Sequence, residues 1–176
     1  MWTPALGAAA LVAEMGEDAA LSCLYRLMTG QVPPGELGTA PWLTVLSHIG
    51  GGSGTGGFDV SSPRNIYWTR SWAARALAYV GRDDSAAWLR AALEDGHWRV
   101  RMTAAQALGR LGVGGSEADL LAVLGDPHPR VRAAAVTALG LMRSPALAGR
   151  LEWLMEDESE LVRDRVLVAL RRLGNG

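Results

Sequence analysis

Lysine is absent: all 17 basic residues are arginine, set against 18 acidic ones, for a formal net charge of −1 over 176 residues. Beside an alanine- and glycine-rich composition, the missing lysine reflects codon bias rather than chemistry. The near-neutral balance removes the simplest argument for a nucleic-acid or anionic-membrane partner. Cysteine is reduced to Cys23, so no internal disulfide can form, which points to a reducing, cytoplasmic setting. Cys23 lies in the apolar run Leu21-Ser22-Cys23-Leu24. With no adjacent charge to lower its pKa, it reads as a buried structural thiol rather than a nucleophile. Long apolar runs are missing too. Ala5 to Ala13 is too short to span a bilayer, and it lacks the basic residues that open a secretory signal. Low charge is not disorder here: hydrophobic residues make up 49% and charged residues 20%, enough for one domain or a short repeat array with a buried core.

What is present is a repeat. The segments Asp95-Gly-His-Trp-Arg-Val-Arg, Asp126-Pro-His-Pro-Arg-Val-Arg and Asp157-Glu-Ser-Glu-Leu-Val-Arg start 31 residues apart, and Leu108, Leu139 and Leu170 keep that interval. One step back finds a weaker copy in Arg70, Ala73, Ala76, Leu77, Val80 and Gly81; a second step reaches Thr39, Trp42, Val45, Leu46, Ile49 and Gly50. Within one unit Val100, Ala104, Ala107, Leu108 and Leu111 fall on one face of a helix. Shorter helices are expected between these, over Ser85 to Leu93, Glu117 to Leu124 and Pro145 to Met155, with N-terminal helices over Ala5 to Met15 and Ala19 to Thr29. Gly81, Gly112 and Gly174 stand where a left-handed C-cap wants glycine. The fold expected is all-α: an α-solenoid of antiparallel helix pairs with period 31, a right-handed superhelical stack. Residues 1–50 form N-terminal, atypical or capping helices, 51–65 a Gly-rich loop replacing a helix, and 66–176 the repeats.

The unit Leu-x-Asp-x-x-x-x-Val-Arg-x-x-Ala-x-x-Ala-Leu-Gly resembles the short bacterial HEAT-like repeat, the kind also found in phycobilisome lyase-related proteins. The likeness covers 66–174 well and 17–50 loosely. It implies the fold and leaves function open, since such repeats serve scaffolds, binding modules, a few lyases and some DNA-repair glycosylases. It also implies a role for the repeated charges. Asp95, Arg101, Asp126, Arg132, Asp157 and Arg163 resemble the ladder that links turns within and between repeats in HEAT-like families, a structural use rather than a phosphate column.

His97 and His128 are one period apart, but stacked helices sit about 8–10 Å apart, whereas two nitrogens on one zinc lie within roughly 4 Å. The third repeat has Ser159 there, no His is followed by Glu as in HEAT-like hydroxylases, and no metal or other cofactor is expected. No Gly-x-Ser-x-Gly, Cys/His or paired-carboxylate constellation marks an enzyme. The run Glu152, Glu156, Asp157, Glu158 and Glu160 reads as a solvated face.

Side chains off the apolar stripe of each second helix should line a groove. They fall in columns: Trp68, Arg99, Arg130, Leu161; Trp72, Thr103, Ala134, Arg165; Arg75, Gln106, Thr137, Val168; and His48, Tyr79, Arg110, Leu141, Arg172. Trp68, Trp72, Arg75, Tyr79 and His48, with Trp98 at the rim, form an aromatic and cationic cluster suited to a partner. The same rings can instead pack beneath the N-terminal helices, because with seven Trp and one Phe tryptophan serves as the core aromatic. The run from Gly50 to Arg64 is no P-loop, since no Gly-Lys-Ser/Thr follows, and reads as a solvated loop or as a lid over this cluster. The leading expectation is a non-catalytic scaffold binding a protein segment along its concave face, with Trp68, Trp72, Arg75, Tyr79, His48, Trp98, Arg99, Arg110 and Arg130 as contacts and no membrane partner. An Arg-lined nucleic-acid or glycosylase-like protein is the alternative, and a small-molecule-binding or lyase-like pocket under the Gly loop a third.

Overall fold

The computed structural model describes residues 3–50, 59–81, 85–112 and 114–174. Among them there is no β-strand; ten α-helices follow one another, some continued by 3-10 turns. The chain divides into two compact units, Met1–Trp88 and Leu89–Gly176. The division falls within the fifth helix rather than at the Gly-rich run, because the fourth helix packs on the first two.

In the first unit, α1 (Pro4–Met15) begins where Thr3 Oγ1 accepts the Leu6 N–H at 3.2 Å, with Pro4 in the first turn where its missing N–H costs nothing. Helix α2 (Glu17–Met28) carries Glu17 and Asp18 at its positive end and Arg26 in its last turn. Helices α3 (Trp42–Ile49) and α4 (Tyr67–Val80) complete the unit, and α1 touches all three of its partners. Leu11, Leu24, Leu27, Leu46 and Leu77 are fully buried between them, each contributing about 2 kcal/mol of transfer free energy, and Trp42 is the core ring. Cys23 is half-buried; burial pushes its thiol pKa up, and Arg26, a charge the local run did not reveal, opposes this without reversing it. The lid-or-loop question at the Gly-rich run falls on residues 51–58, outside the described residues. Residues 59–66 are turns and bends, held by Asp59, whose carboxylate accepts from the Ser61 N–H at 2.9 Å and the Ser61 hydroxyl at 2.6 Å.

The second unit holds the second half of α5 (Ser85–Ala92), then α6 (Trp98–Leu111), α7 (Glu117–Ala122), α8 (Pro129–Leu141), α9 (Ala148–Leu151) and α10 (Glu160–Gly174). The long helices form a row, α8 lying between α6 and α10, with α7 and α9 on short connections between them. Val100, Leu108, Val131, Leu139, Val162 and Val166 supply the apolar stripe that the 31-residue register predicts. Close approach explains the glycine of the repeated Ala-Leu-Gly. A Cβ on Gly109 would lie 2.6 Å from Ala138 Cα, and one on Gly140 would lie 2.8 Å from Ala169 Cβ. In α10 the same register position is Arg171, which is exposed.

Of the three glycines expected as left-handed caps, only Gly112 is one, at φ 62°. Gly81 leaves α4 in an extended conformation with φ −61°, and Gly174 is still within α10. The position equivalent to Gly112 is Arg143, which takes φ 54° without being glycine. The fold is an all-α solenoid of helix pairs.

Candidate functional site

The Asp–Arg positions form a continuous chain of charge-assisted hydrogen bonds through the second unit. Asp95 and Asp126 each accept, through a carboxylate oxygen, the N–H two residues on (His97 and His128), both at 2.8 Å, so each carboxylate closes its own turn. Arg101 grips Asp126 through both edge nitrogens, Nε to Oδ2 at 2.6 Å and Nη2 to Oδ1 at 3.0 Å. Arg132 holds Asp157 in the same way, both contacts at 2.8 Å. The remaining nitrogen, Nη1, turns back to the carbonyl of the arginine's own repeat, Asp95 for Arg101 at 2.8 Å and Asp126 for Arg132 at 2.9 Å. The spacing of six within a repeat therefore marks a side-chain-to-backbone link, while the carboxylate pairing spans 25 residues into the next repeat. Burial alone would raise the Asp126 carboxyl, but the hydrogen bonds from Arg101 and His128 outweigh it and hold its pKa below the usual range. Arg132 does the same for Asp157.

In the first unit, Trp68, Trp72, Arg75 and Tyr79 lie along one stripe of α4, as their spacing requires. The Trp68 and Trp72 rings are 5.9 Å apart at 33°, with Tyr67 5.2 Å from Trp68, a ring the groove columns did not include. Both tryptophans are half-buried and Tyr79 is exposed, so these rings are neither core nor free surface. Trp72 packs against the end of α3, where a Cβ on Gly50 would meet its ring at 3.1 Å. Two members of the cluster are tied up inside the fold. Arg75 Nη2 donates to the Ile49 carbonyl at 2.6 Å, satisfying the C-terminus of α3, and its burial lowers its pKa. His48 Nε2 lies 2.7 Å from Glu14 Oε2, linking α3 to α1. These contacts join long-range partners and leave no trace in spacing.

Trp98 finds its ring neighbours in the second unit. His128 stacks on it at 3.9 Å and 8°, Arg99 lies 4.5 Å and Arg130 5.6 Å from its ring centre. The periodic histidines have a local task. The Nδ1 atoms of His97 and His128 accept the N–H of Arg99 and of Arg130, both at 3.3 Å, as N-caps of α6 and α8. Burial lowers the His128 pKa; Arg130, Arg101 and Arg132 add to this and Asp126 opposes it. Among the described residues no group of three His, Cys, Asp or Glu could hold a metal ion.

The second groove column is corrected by the structure. Thr103 and Ala134 are buried, at 6% and 5% exposure, because small side chains there let the neighbouring helix approach, and the Thr103 hydroxyl donates to its own helix at Arg99 O. Arg130, Leu161, Gln106, Val168, Arg110, Leu141 and Arg172 in the other columns are exposed. Trp153, outside every column, is the most exposed tryptophan among the described residues at 59%. No described helix is long and apolar enough to cross a membrane. A family model described as HEAT repeats matches residues 66–120 and 117–175. No curated protein matches the chain.

Proposed function

Because the chain belongs to the HEAT-repeat family, we propose that it is a non-catalytic scaffold that binds a segment of another protein, with the ring stripe of α4 as one contact surface. HEAT repeats as a class support an interaction role. The observation that carries the assignment to α4 is the Trp68–Trp72 pair, two large rings 5.9 Å apart, left partly open, with Trp72 against Gly50 and the Arg75–Ile49 bond tying α4 to the end of α3. Rigid rings supply contact area at low entropic cost, and such anchors carry a disproportionate share of binding energy. Arg75 and His48 act in this reading as braces, since each already has an internal partner.

The test is affinity capture with the intact chain, followed by quantitative binding to the captured protein. Trp68→Ala is expected to weaken that binding by about 2 kcal/mol, roughly 30-fold. Trp153→Ala, on another element, is expected to leave it unchanged. Equal capture by both variants would remove α4 from the interface.

One observation favours nucleic acid as a second reading: Arg99 and Arg130 both lie over Trp98, pairing cations with an aromatic ring. Phosphate contacts at these arginines would make binding fall steeply with salt, and duplex binding insensitive to salt would dispose of this reading.

A further inference from the structure

Two equivalent clefts separate the short helices of the second unit, and they differ in one respect. The first, of about 260 Å³, lies beside α5 and α7, and Arg90, Leu93, Glu94, Asp119 and Ala122 are among its lining residues. Arg90 Nε lies 3.8 Å from Asp119 Oδ2, so an ion pair bridges it. The second, of about 720 Å³, lies between α7 and α9 and is lined by Gly115, Glu117, Ala118, Leu121, Ala122 and Arg150. A step of 31 residues carries Arg90 to Leu121 and Asp119 to Arg150. The pair that bridges the first cleft is therefore replaced in the second by a leucine and an arginine. Glu117, the one carboxylate lining the second cleft, does not reach Arg150, and the Arg150 guanidinium has no hydrogen-bond or ion-pair partner among the described residues. Both walls of each cleft belong to the described residues.

The rim beside Arg150 departs from the repeat as well. Ala91, Ala122 and Trp153 are one step apart and all exposed, Trp153 at 59%. Ala91 and Ala122 stay exposed although a further repeat follows each of them, so this position faces solvent along the array. Alanine in two repeats also shows that the fold does not need a large ring there. Trp153 Nε1 donates to the Arg150 carbonyl at 3.1 Å, which holds the indole against the wall that carries Arg150, so part of the ordering entropy does not fall on a binding step. An exposed tryptophan and an unpaired arginine beside an apolar floor of Ala118, Leu121 and Ala122 are the residue types that anchor protein interfaces. Charge narrows the occupant. In the first cleft the arginine meets a carboxylate from the neighbouring helix; in the second the arginine is present and that carboxylate is not, so the occupant supplies it. Glu117 in the same cleft repels a run of negative charge, which disfavours a nucleic-acid backbone and leaves a single carboxylate bound at short range.

We infer that the cleft between α7 and α9, with Trp153 at its rim, docks a segment of a protein partner that carries one aspartate or glutamate for Arg150 beside an aromatic or aliphatic side chain for Leu121, Ala122 and Trp153. It is a second surface, and it does not rest on the assignment of the α4 stripe. The probe is a library of random dodecapeptides, selected on the full native chain. Recovered peptides are sorted by whether they shift the Trp153 indole N–H resonance, identified by its loss in Trp153→Phe. The peptides that shift it are expected to share an acidic residue next to an aromatic or aliphatic one. Replacing that acid by its amide is expected to weaken binding to the native chain by about tenfold or more. Arg150→Gln is expected to cause the same loss with the acidic peptide and no further loss with the amide, because both changes remove one contact. Selection that yields no peptide moving the Trp153 resonance would overturn the inference, as would basic peptides that move it or equal binding by acid and amide. The acid–amide comparison uses the native chain and does not depend on a variant folding. Self-association abolished by Arg150→Gln would assign the cleft to a second copy of this chain and overturn the choice of a different partner. Peptide binding is expected to be unchanged in Trp68→Ala; a loss there would place the peptide on α4 and overturn the inference, while the α4 surface is judged separately by its own captured partner.

Discussion

At the scale of single residues, the molecule uses repeated positions for purposes that residue type alone does not reveal. His97 and His128 share a register that invites a metal, yet each imidazole accepts a backbone N–H as a helix cap. Ser159, at the same register in the third repeat, fits this role, because serine is a favoured N-cap and a poor zinc ligand. Ser85 and Ser116 are one period apart and buried, their hydroxyls without partners among the described residues; Leu147 at the corresponding position shows that an apolar group is accepted there. Arg143 is the residue that departs most from its local rule. It occupies the left-handed region at φ 54°, is exposed, and replaces the glycine found at Gly112. Left-handed backbone costs a residue with a Cβ about 1 kcal/mol. Arg143→Gly is therefore expected to raise stability in chemical denaturation by somewhat less than this, about 0.5 kcal/mol, after the greater chain entropy of unfolded glycine is subtracted. A fall in stability would show that the arginine side chain makes a compensating contact.

At the scale of elements, the helix pairs are held by two devices that act on different faces. Small residues at Gly109–Ala138 and Gly140–Ala169 bring the long helices together, and the Asp–Arg ladder ties the turns at their ends. The ladder's pairs are well shielded, with Asp126 and Asp157 side chains at 6% and 5% exposure. Removing one partner of such a pair leaves a buried charge without compensation, which costs more than the pair contributes. Asp126→Ala is expected to destabilise the chain by about 3 kcal/mol, roughly 6–12 °C in Tm, since it orphans Arg101 and also opens the turn closed at the His128 N–H. An unchanged melt would show that the ladder contributes orientation without stability. The helices, their order and the repeat register were legible because a 31-residue period in Val, Ala and Leu is a strong signal spread over many residues. The direction of each rung was not, because a spacing of six cannot say whether an arginine meets a carboxylate or a carbonyl.

At the scale of the whole molecule, the net charge of −1 conceals charges committed to the fold. Arg101 and Arg132 sit in the ladder, Arg75 on a helix end and Arg26 over Trp42 at 4.8 Å, so these arginines are committed to contacts within the fold. The same commitments make stability depend on pH in a defined direction. The Asp126 and Asp157 carboxyls titrate below their ordinary value in the folded chain. A carboxyl with a lowered folded pKa contributes stability that is fully present above the unfolded value, about 3.9, and is lost as pH falls through the folded one. Urea midpoints are therefore expected to hold steady from neutrality to about pH 5 on this account and to drop below about pH 4. The drop should be smaller in Asp157→Asn, whose rung no longer titrates. An equal acid response in that variant would place the loss elsewhere.

The amino-acid sequence by itself determined that this chain is an all-α repeat and where its long helices lie, because periodicity is a local signal that adds up over many residues. Tertiary structure decided which charged and aromatic residues are already occupied. Arg75 and His48 are drawn inward, Thr103 and Ala134 are covered, and the tryptophans of α4 remain half-buried. A side chain's availability depends on what packs against it from distant parts of the chain, and Arg101 and Arg132 meet their carboxylates across 25 residues.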